Sequence, residues 1–167
     1  MREIKTERLI LKEIEDKDKD ALINIFTNPL VSKTYMIPAF SNMDEKIKFF
    51  ERLKNVTKSE RIAFGIYYNE VIIGFINEVV KDGKAIEVGY FIDPTHWNKG
   101  FATEAFGAMI KYLFENGFDK VEAGFFEGNH ASEKVMIKCG LKKEDKVDFI
   151  EYKGKMNKCI YYSITKA

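Results

Sequence analysis

One stretch of this chain is built to do chemistry with an anion. In His96-Trp97-Asn98-Lys99-Gly100-Phe101-Ala102-Thr103 a helix begins after a strand with no Ser, Thr or Asp at its cap and no acid before Glu104. A helix N-terminus exposes unpaired N–H groups and a partial positive charge, so it attracts anions. Small residues such as Gly100 and Ala102 let a phosphate approach the backbone, and Lys99 adds a full charge. A tight turn that needs glycine for its conformation alone is the competing explanation. Neither G-x-x-x-x-G-K-[ST] nor G-x-G-x-x-G occurs, which argues against a nucleoside triphosphate or nicotinamide site. His96 and His130 lack a second histidine at ligand spacing and an acidic partner, and read as surface or packing residues. Cys139 and Cys159 stand in no metal or redox spacing and read as small buried hydrophobes. No metal is expected.

The elements that position this stretch follow from periodicity. Residues 8–14 read as a strand; Asp16 or Asp18 then caps a helix with Ala21, Leu22, Ile25 and Phe26 on one face, stopped at Asn28-Pro29. An ordered loop through Pro38 leads to Asn42 and Glu45, a capping-box pattern that opens a second helix. Segments 62–68 and 71–80, rich in β-branched and aromatic residues, form a hairpin about Asn69-Glu70. A third strand, 85–94, follows Asp82-Gly83. The long helix after Gly100 ends at Asn116-Gly117, and 120–126 is again a strand. Asn129 caps a short helix closed by Gly140, and the C-terminal residues form two strands around Lys153-Gly154. Strand-helix-strand around the 100–116 helix implies a parallel crossover inside a largely antiparallel sheet.

The 167 residues are 46% hydrophobic, enough for one domain spanning 1–167. With 27 basic and 26 acidic side chains, no global charge favours nucleic acid or an anionic membrane, and neither partner is expected. No segment approaches the roughly 20 apolar residues of a membrane span. The charged start and the sparse cysteines point to a reduced, cytoplasmic setting.

The run Gly89–Ala105 resembles the acetyl-CoA motif of the GNAT N-acetyltransferase superfamily, Q/R-x-x-G-x-G/A, with Trp97 in the Q/R slot, Gly100 as the glycine and Ala102 as the last small residue. The tryptophan variant is typical of the ribosomal-protein N-terminal alanine acetyltransferase (RimJ/RimL-like) branch. Thr6-Glu7-Arg8-Leu9-Ile10-Leu11 is similar to that branch's opening strand. Asn129-His130-Ala131-Ser132 with Lys138-Cys139-Gly140-Leu141 resembles its N-x-x-S…K-x-G-F segment, with leucine for phenylalanine at 141. The resemblance covers essentially the whole chain. It implies a mixed α/β fold with about seven strands and about four helices, splayed between strands 85–94 and 120–126.

The same resemblance implies acetyl-CoA as the co-substrate. Its pyrophosphate is expected on the N–H groups of Asn98, Lys99, Gly100, Phe101, Ala102 and Thr103. The pantetheine arm would pair with the backbone of Phe91 and Ile92 as an added strand does, and Asn129 would bond its far end. Acyl transfer to an amine requires loss of a proton from nitrogen, stabilisation of the carbonyl oxygen and stabilisation of the departing thiolate. Many family members use a tyrosine seven residues after the asparagine; here that residue is Met136, and the branch implies Ser132 in its place. Glu87 is the first candidate base and Glu78 the second. A dedicated base is dispensable for an α-amine, whose pKa is about 7.7–8.0 against about 10.4 for lysine. Tyr35, Met36 and Glu78 are expected on the acceptor side. The acceptor is a protein N-terminal α-amine or a small amine such as a polyamine or aminoglycoside; a non-catalytic acyl-CoA-binding module is the other class. Monomer and homodimer are equally open.

Overall fold

Alternating apolar residues and tight turns build one sheet of eight strands. The computed structural model describes residues 2–167. In chain order the elements are β1 (Ile4–Lys5), β2 (Leu9–Lys12), a 3-10 turn at Asp16–Asp18, α1 (Lys19–Phe26), α2 (Pro29–Ser32) and α3 (Met43–Thr57). Then come β3 (Ala63–Tyr68), β4 (Val71–Asp82), β5 (Ala85–Ile92), a 3-10 turn at Pro94–His96 and α4 (Phe101–Glu115). The chain ends with β6 (Lys120–Phe126), α5 (His130–Lys138), β7 (Lys142–Tyr152) and β8 (Lys155–Thr165). Among the described residues, no helix is long and apolar enough to cross a membrane.

The spatial order is β1-β2-β3-β4-β5-β6-β8-β7. Every neighbouring pair is antiparallel except β5–β6, which is parallel, as the crossover through α4 requires. That parallel pairing is short: Ala85↔Lys120, Ile86↔Val121 and Glu87↔Glu122. No rung between β5 and β6 follows Glu87 among the described residues, so the sheet forks there.

Each face of the sheet carries its own core. Ile86, Val88 and Ile92 of β5 pack with Phe101, Phe106 and Met109 of α4 and Met136 of α5. Phe91 and Phe75 turn the other way, toward Leu22 and Phe26 of α1 and Phe50 and Leu53 of α3. The period-two alternation of β5 therefore sends Glu87, Gly89 and Phe91 to the α1/α3 face and Val88, Tyr90 and Ile92 to the α4/α5 face.

Three local features differ from expectation. Asn28-Pro29 does not simply stop α1: Asn28 Oδ1 accepts from Leu30 N at 3.0 Å and caps α2, with proline at its first position. A two-residue strand, β1, precedes the expected first strand. The last hairpin also begins earlier, at Lys142, because β7 is an exposed edge strand whose polar sequence shows little hydrophobic alternation.

Candidate active site

The start of α4 is an uncapped amide cradle. Gly100 is the N-cap, at φ +80°, and no side chain bonds to the first turn. Asn98, at φ +61°, also adopts the left-handed conformation. The first helical bond runs from Glu104 N to Gly100 O, 3.0 Å, leaving the N–H groups of Asn98, Lys99, Gly100, Phe101, Ala102 and Thr103 without a protein acceptor among the described residues. Six backbone donors around two left-handed residues fit an anion such as a pyrophosphate.

Arg8 stands beside this cradle. Its Nη2 would lie 3.4 Å from a Cβ added at Gly100, and its guanidinium covers the Phe101 ring at 4.3 Å. Glu104 anchors it: Oε1 accepts from Arg8 Nε and Oε2 from Arg8 N, each at 2.8 Å, and Oε2 also accepts from Thr6 Oγ1 at 2.5 Å. Burial works against the Glu104 carboxylate, but the bonds from Thr6 and Arg8 and the guanidinium charge hold its pKa below the usual range. The single acid in the first turn of α4 thus faces an arginine from β1–β2 and leaves the cradle positive.

The fork supplies backbone groups, in a register one residue from that expected. Asp93 N donates to Ile73 O at 2.7 Å. Antiparallel alternation then turns both backbone groups of Phe91 toward Phe75 of β4, while those of Tyr90 and Ile92 point into the fork. Trp97 Nε1 donates to Ile92 O at 2.8 Å, so the Ile92 carbonyl is already taken. The free groups facing the fork are those of Tyr90 and the Ile92 N–H; Phe91 is not among them. Trp97 thereby ties the cradle's loop to the end of β5.

Across the fork, α5 opens with Asn129. Its Oδ1 accepts from Ser132 N at 3.2 Å and its Nδ2 donates to Ser132 Oγ at 3.0 Å. Asn129 and Ser132 form one unit, with the serine hydroxyl only partly buried. Met136 is buried in the core. Of the two histidines, His96 packs against Tyr68 and Phe101 and His130 is exposed, and contrary to expectation each has an acidic neighbour three residues away, Asp93 at 3.7 Å and Glu133 at 4.0 Å.

The α1/α3 face of the fork carries carboxylates. Glu87 sits on the last β5–β6 rung, opposite Glu122. Burial raises the Glu87 pKa, the Glu122 charge raises it further, Lys146 opposes and Asp148 adds to the rise. Lys146 pairs with Glu122 at 2.9 Å and lies over the Tyr161 ring, and Tyr161 Oη donates to Asp148 Oδ2 at 2.8 Å. Tyr35 completes this face: it stacks edge-on against Phe91 at 4.9 Å, lies beside Gly89, and donates to Asn77 Oδ1 at 3.0 Å. Met36 next to it is exposed.

Glu78 does not join this group. Opposite Val88, it belongs to the other face and is 3% exposed. Its Oε1 accepts from Ile62 N at 2.6 Å, and Arg61 and Lys81 flank it. The Glu78 carbonyl accepts from Asn77 Nδ2 and Arg61 Nη2, and the Ile62 amide is satisfied by the Glu78 carboxylate. The carboxylate expected on the acceptor side is thus buried on the α4/α5 face and bonded to backbone.

Arg8 and Tyr152 are the positions that local reading passes over. Tyr152 Oη accepts from Ile37 N at 3.0 Å and contacts the carbonyls of Ser32 and Tyr35, so β7 fixes the loop that carries Tyr35. Each lies far in sequence from what it touches, and no local pattern marks it.

The arrangement is an anion cradle and a split strand on one face, with a carboxylate at the fork on the other. A family model described as an acetyltransferase (GNAT) domain matches residues 8–142. The uncharacterized N-acetyltransferase YoaA of Bacillus subtilis strain 168 is 30% identical over 147 residues, 84% of this chain and 83% of its own. The crystal structure of a GNAT-family acetyltransferase from Bacillus anthracis superposes with a TM-score of 0.83 at 25% identity, over 98% of each chain. RimL, a ribosomal L7/L12 α-N-protein acetyltransferase solved with coenzyme A, shares the fold at TM-score 0.83 and 16% identity, over 98% of each chain.

Proposed function

The chain belongs to the GNAT acetyltransferase family and is an acetyl-CoA-dependent N-acetyltransferase, and we propose that its acceptor is the N-terminal α-amine of a protein. The observation that carries this reading is Glu87 at the fork, its pKa raised by burial and by Glu122. A carboxylate whose pKa burial raises is a stronger base than an ordinary one, and an α-amine of pKa about 7.7–8.0 demands less of it than an amine of about 10.4. RimL, with the same fold, is named for acting on such an amine.

In this reading acetyl-CoA supplies an acetyl thioester. The six N–H groups from Asn98 to Thr103, with Lys99 and Arg8, hold the pyrophosphate. The backbone of Tyr90 and Ile92 lines the pantetheine, and one of their N–H groups serves the carbonyl oxygen as it gains charge. Glu87 takes the amine proton, directly or through a water, on the face that carries Tyr35. Ser132 donates a hydrogen bond to sulfur as the C–S bond breaks.

A small cationic amine is the second reading, favoured by the carboxylates of Glu87, Glu122 and Asp148 against the one lysine, Lys146. Coenzyme A thiol release measured against N-terminal peptides, polyamines and aminoglycosides separates the two. Turnover of peptides with a free α-amine is expected. Vigorous turnover of spermidine with silent peptides would show the acceptor to be a small amine, and acetyl-CoA binding without thiol release from any amine would reduce the domain to a binding module.

A further inference from the structure

The α1/α3 face of the fork holds an ammonium site that the chain fills with one of its own side chains. Lys146 Nζ donates to Glu122 Oε1 at 2.9 Å and lies 4.2 Å over the Tyr161 ring. A carboxylate beside an aromatic face is a general way to hold an ammonium ion, and nothing in it requires that ion to be a lysine. The Glu122 side chain is 15% exposed and Tyr161 is buried, whereas the Lys146 side chain is 47% exposed. The accepting groups are therefore built into the sheet, and the cation reaches them from its rim.

Lys146 owes its place to an irregularity in β7. Lys143 pairs with Tyr162 and Val147 with Ile160, so Glu144, Asp145 and Lys146 together stand against Tyr161. Bulges of this kind re-aim side chains. Glu144 pins this one, accepting from Lys120 Nζ at 2.6 Å and from Ser163 Oγ at 2.5 Å. Glu122, which Lys146 holds, is the rung partner of Glu87. Neighbouring strands lie about 5 Å apart, within the reach of a propyl or butyl chain. A short diamine could therefore set one nitrogen at Glu87 and the other at Glu122, if Glu122 were free. Glu87 makes no salt bridge among the described residues. Of this pair, only Glu122 is already neutralised.

We propose that Lys146 is a specificity-determining residue: its ammonium fills the subsite that the second ammonium of a diamine or polyamine would take, and so reserves the fork for acceptors that bring one ammonium to it, as an N-terminal α-amine does. The proposal rests on the acceptor reading given above and names the side chain that decides between its two alternatives. Exclusion here works by occupancy: a polyamine must displace a tethered cation from Glu122 before it can use both carboxylates, whereas a single ammonium at Glu87 leaves the Lys146–Glu122 pair intact.

The test is coenzyme A thiol release from a peptide with a free α-amine and from spermidine, in wild type, Lys146→Met, Lys146→Arg and the double variant Lys146→Met with Glu122→Gln. Methionine keeps an unbranched stem over Tyr161 and removes the charge, so the melting temperature is expected to hold. The ratio of kcat/KM for spermidine to that for the peptide is expected to rise about 10-fold in Lys146→Met, the worth of one hydrogen bond to a charged group. The ratio cancels any change in Glu87 that both acceptors feel. Lys146→Arg is expected to keep the wild-type ratio, and Glu122→Gln to erase the gain in the methionine background, because the anchor is then gone. If loss of the charge silences turnover, calorimetric titration with spermidine decides. A Kd about 10-fold tighter than wild type supports the proposal, and an equal one overturns it. An unmoved ratio in Lys146→Met, with the peptide still turned over by wild type, overturns the role of Lys146 and leaves the acceptor reading standing. A gain that survives Glu122→Gln also overturns it. Wild type that acetylates spermidine and ignores the peptide overturns the acceptor reading, and this proposal with it.

Discussion

Glu87 and Ser132 occupy opposite faces of one gap, and in the proposed reading each answers one demand of the chemistry. For Ser132→Ala we expect turnover to fall about 10- to 100-fold while acetyl-CoA affinity holds, because the serine meets sulfur only as charge develops there; steady-state kinetics beside calorimetric titration reads both. Glu87 must be ionised to act as a base. Since burial, Glu122 and Asp148 raise its pKa, the acid limb of the rate profile is expected above the ordinary glutamate value of about 4.3. Glu122→Gln removes a neighbouring negative charge and should move that limb to lower pH. Glu87→Gln should cost about 100-fold near pH 7 and less above about pH 8, where an α-amine is largely neutral unaided. A limb that ignores Glu122→Gln would remove Glu87 from the proton path. How little of this is local is shown by Glu78 and Glu87. Both are single carboxylates in adjacent strands, and only the Ile62 amide within reach of Glu78 and the fork after Glu87 set one against the backbone and the other beside the fork.

At the scale of elements, the cradle is a helix start left open by its own chain. Gly100 at φ +80° predicts that Gly100→Ala costs about 1 kcal/mol through backbone strain alone. Gly100→Glu should in addition abolish coenzyme A binding, because bulk and negative charge would meet the pyrophosphate; binding isotherms of the two variants separate conformation from recognition. The Arg8–Glu104 clamp makes a pH prediction. The folded-state pKa of Glu104 is depressed, so its stabilisation is complete above the unfolded value near 4.3 and disappears as pH falls through the lower folded value. Glu104→Gln should lower stability by about 1–3 kcal/mol at pH 7, with the difference from wild type vanishing in acid melts. This helix start, the capping residues Asn42 and Asn129, and the Asn69-Glu70 turn were legible because their signals lie within a few residues of one another. The extent of β7 was not, because an exposed edge strand needs no apolar alternation. Which backbone groups of β5 face the fork was not either, because the hydrogen-bonding sides of β5 are set by its pairing with β4.

At the scale of the whole molecule, a parallel crossover inserted into an antiparallel sheet is what opens the fork. The two strands it joins part after Glu87, and the proposed function puts the donor on one side of the fork and the acceptor on the other. The order of elements, and with it a mixed α/β sheet, was legible from periodicity and turn chemistry, and the splay came with the family resemblance; the acceptor was not, since the side chains of α1–α3, β5, β6 and β7 around the fork converge only in three dimensions. The central claim, direct transfer to a protein α-amine at the fork, is tested most directly by comparing one peptide with its N-terminally blocked, lysine-containing counterpart in a thiol-release assay. The account predicts turnover of the free peptide, silence from the blocked one, and loss of that turnover in Glu87→Gln near pH 7. Equal turnover of both peptides, or of neither while spermidine is acetylated, would contradict it.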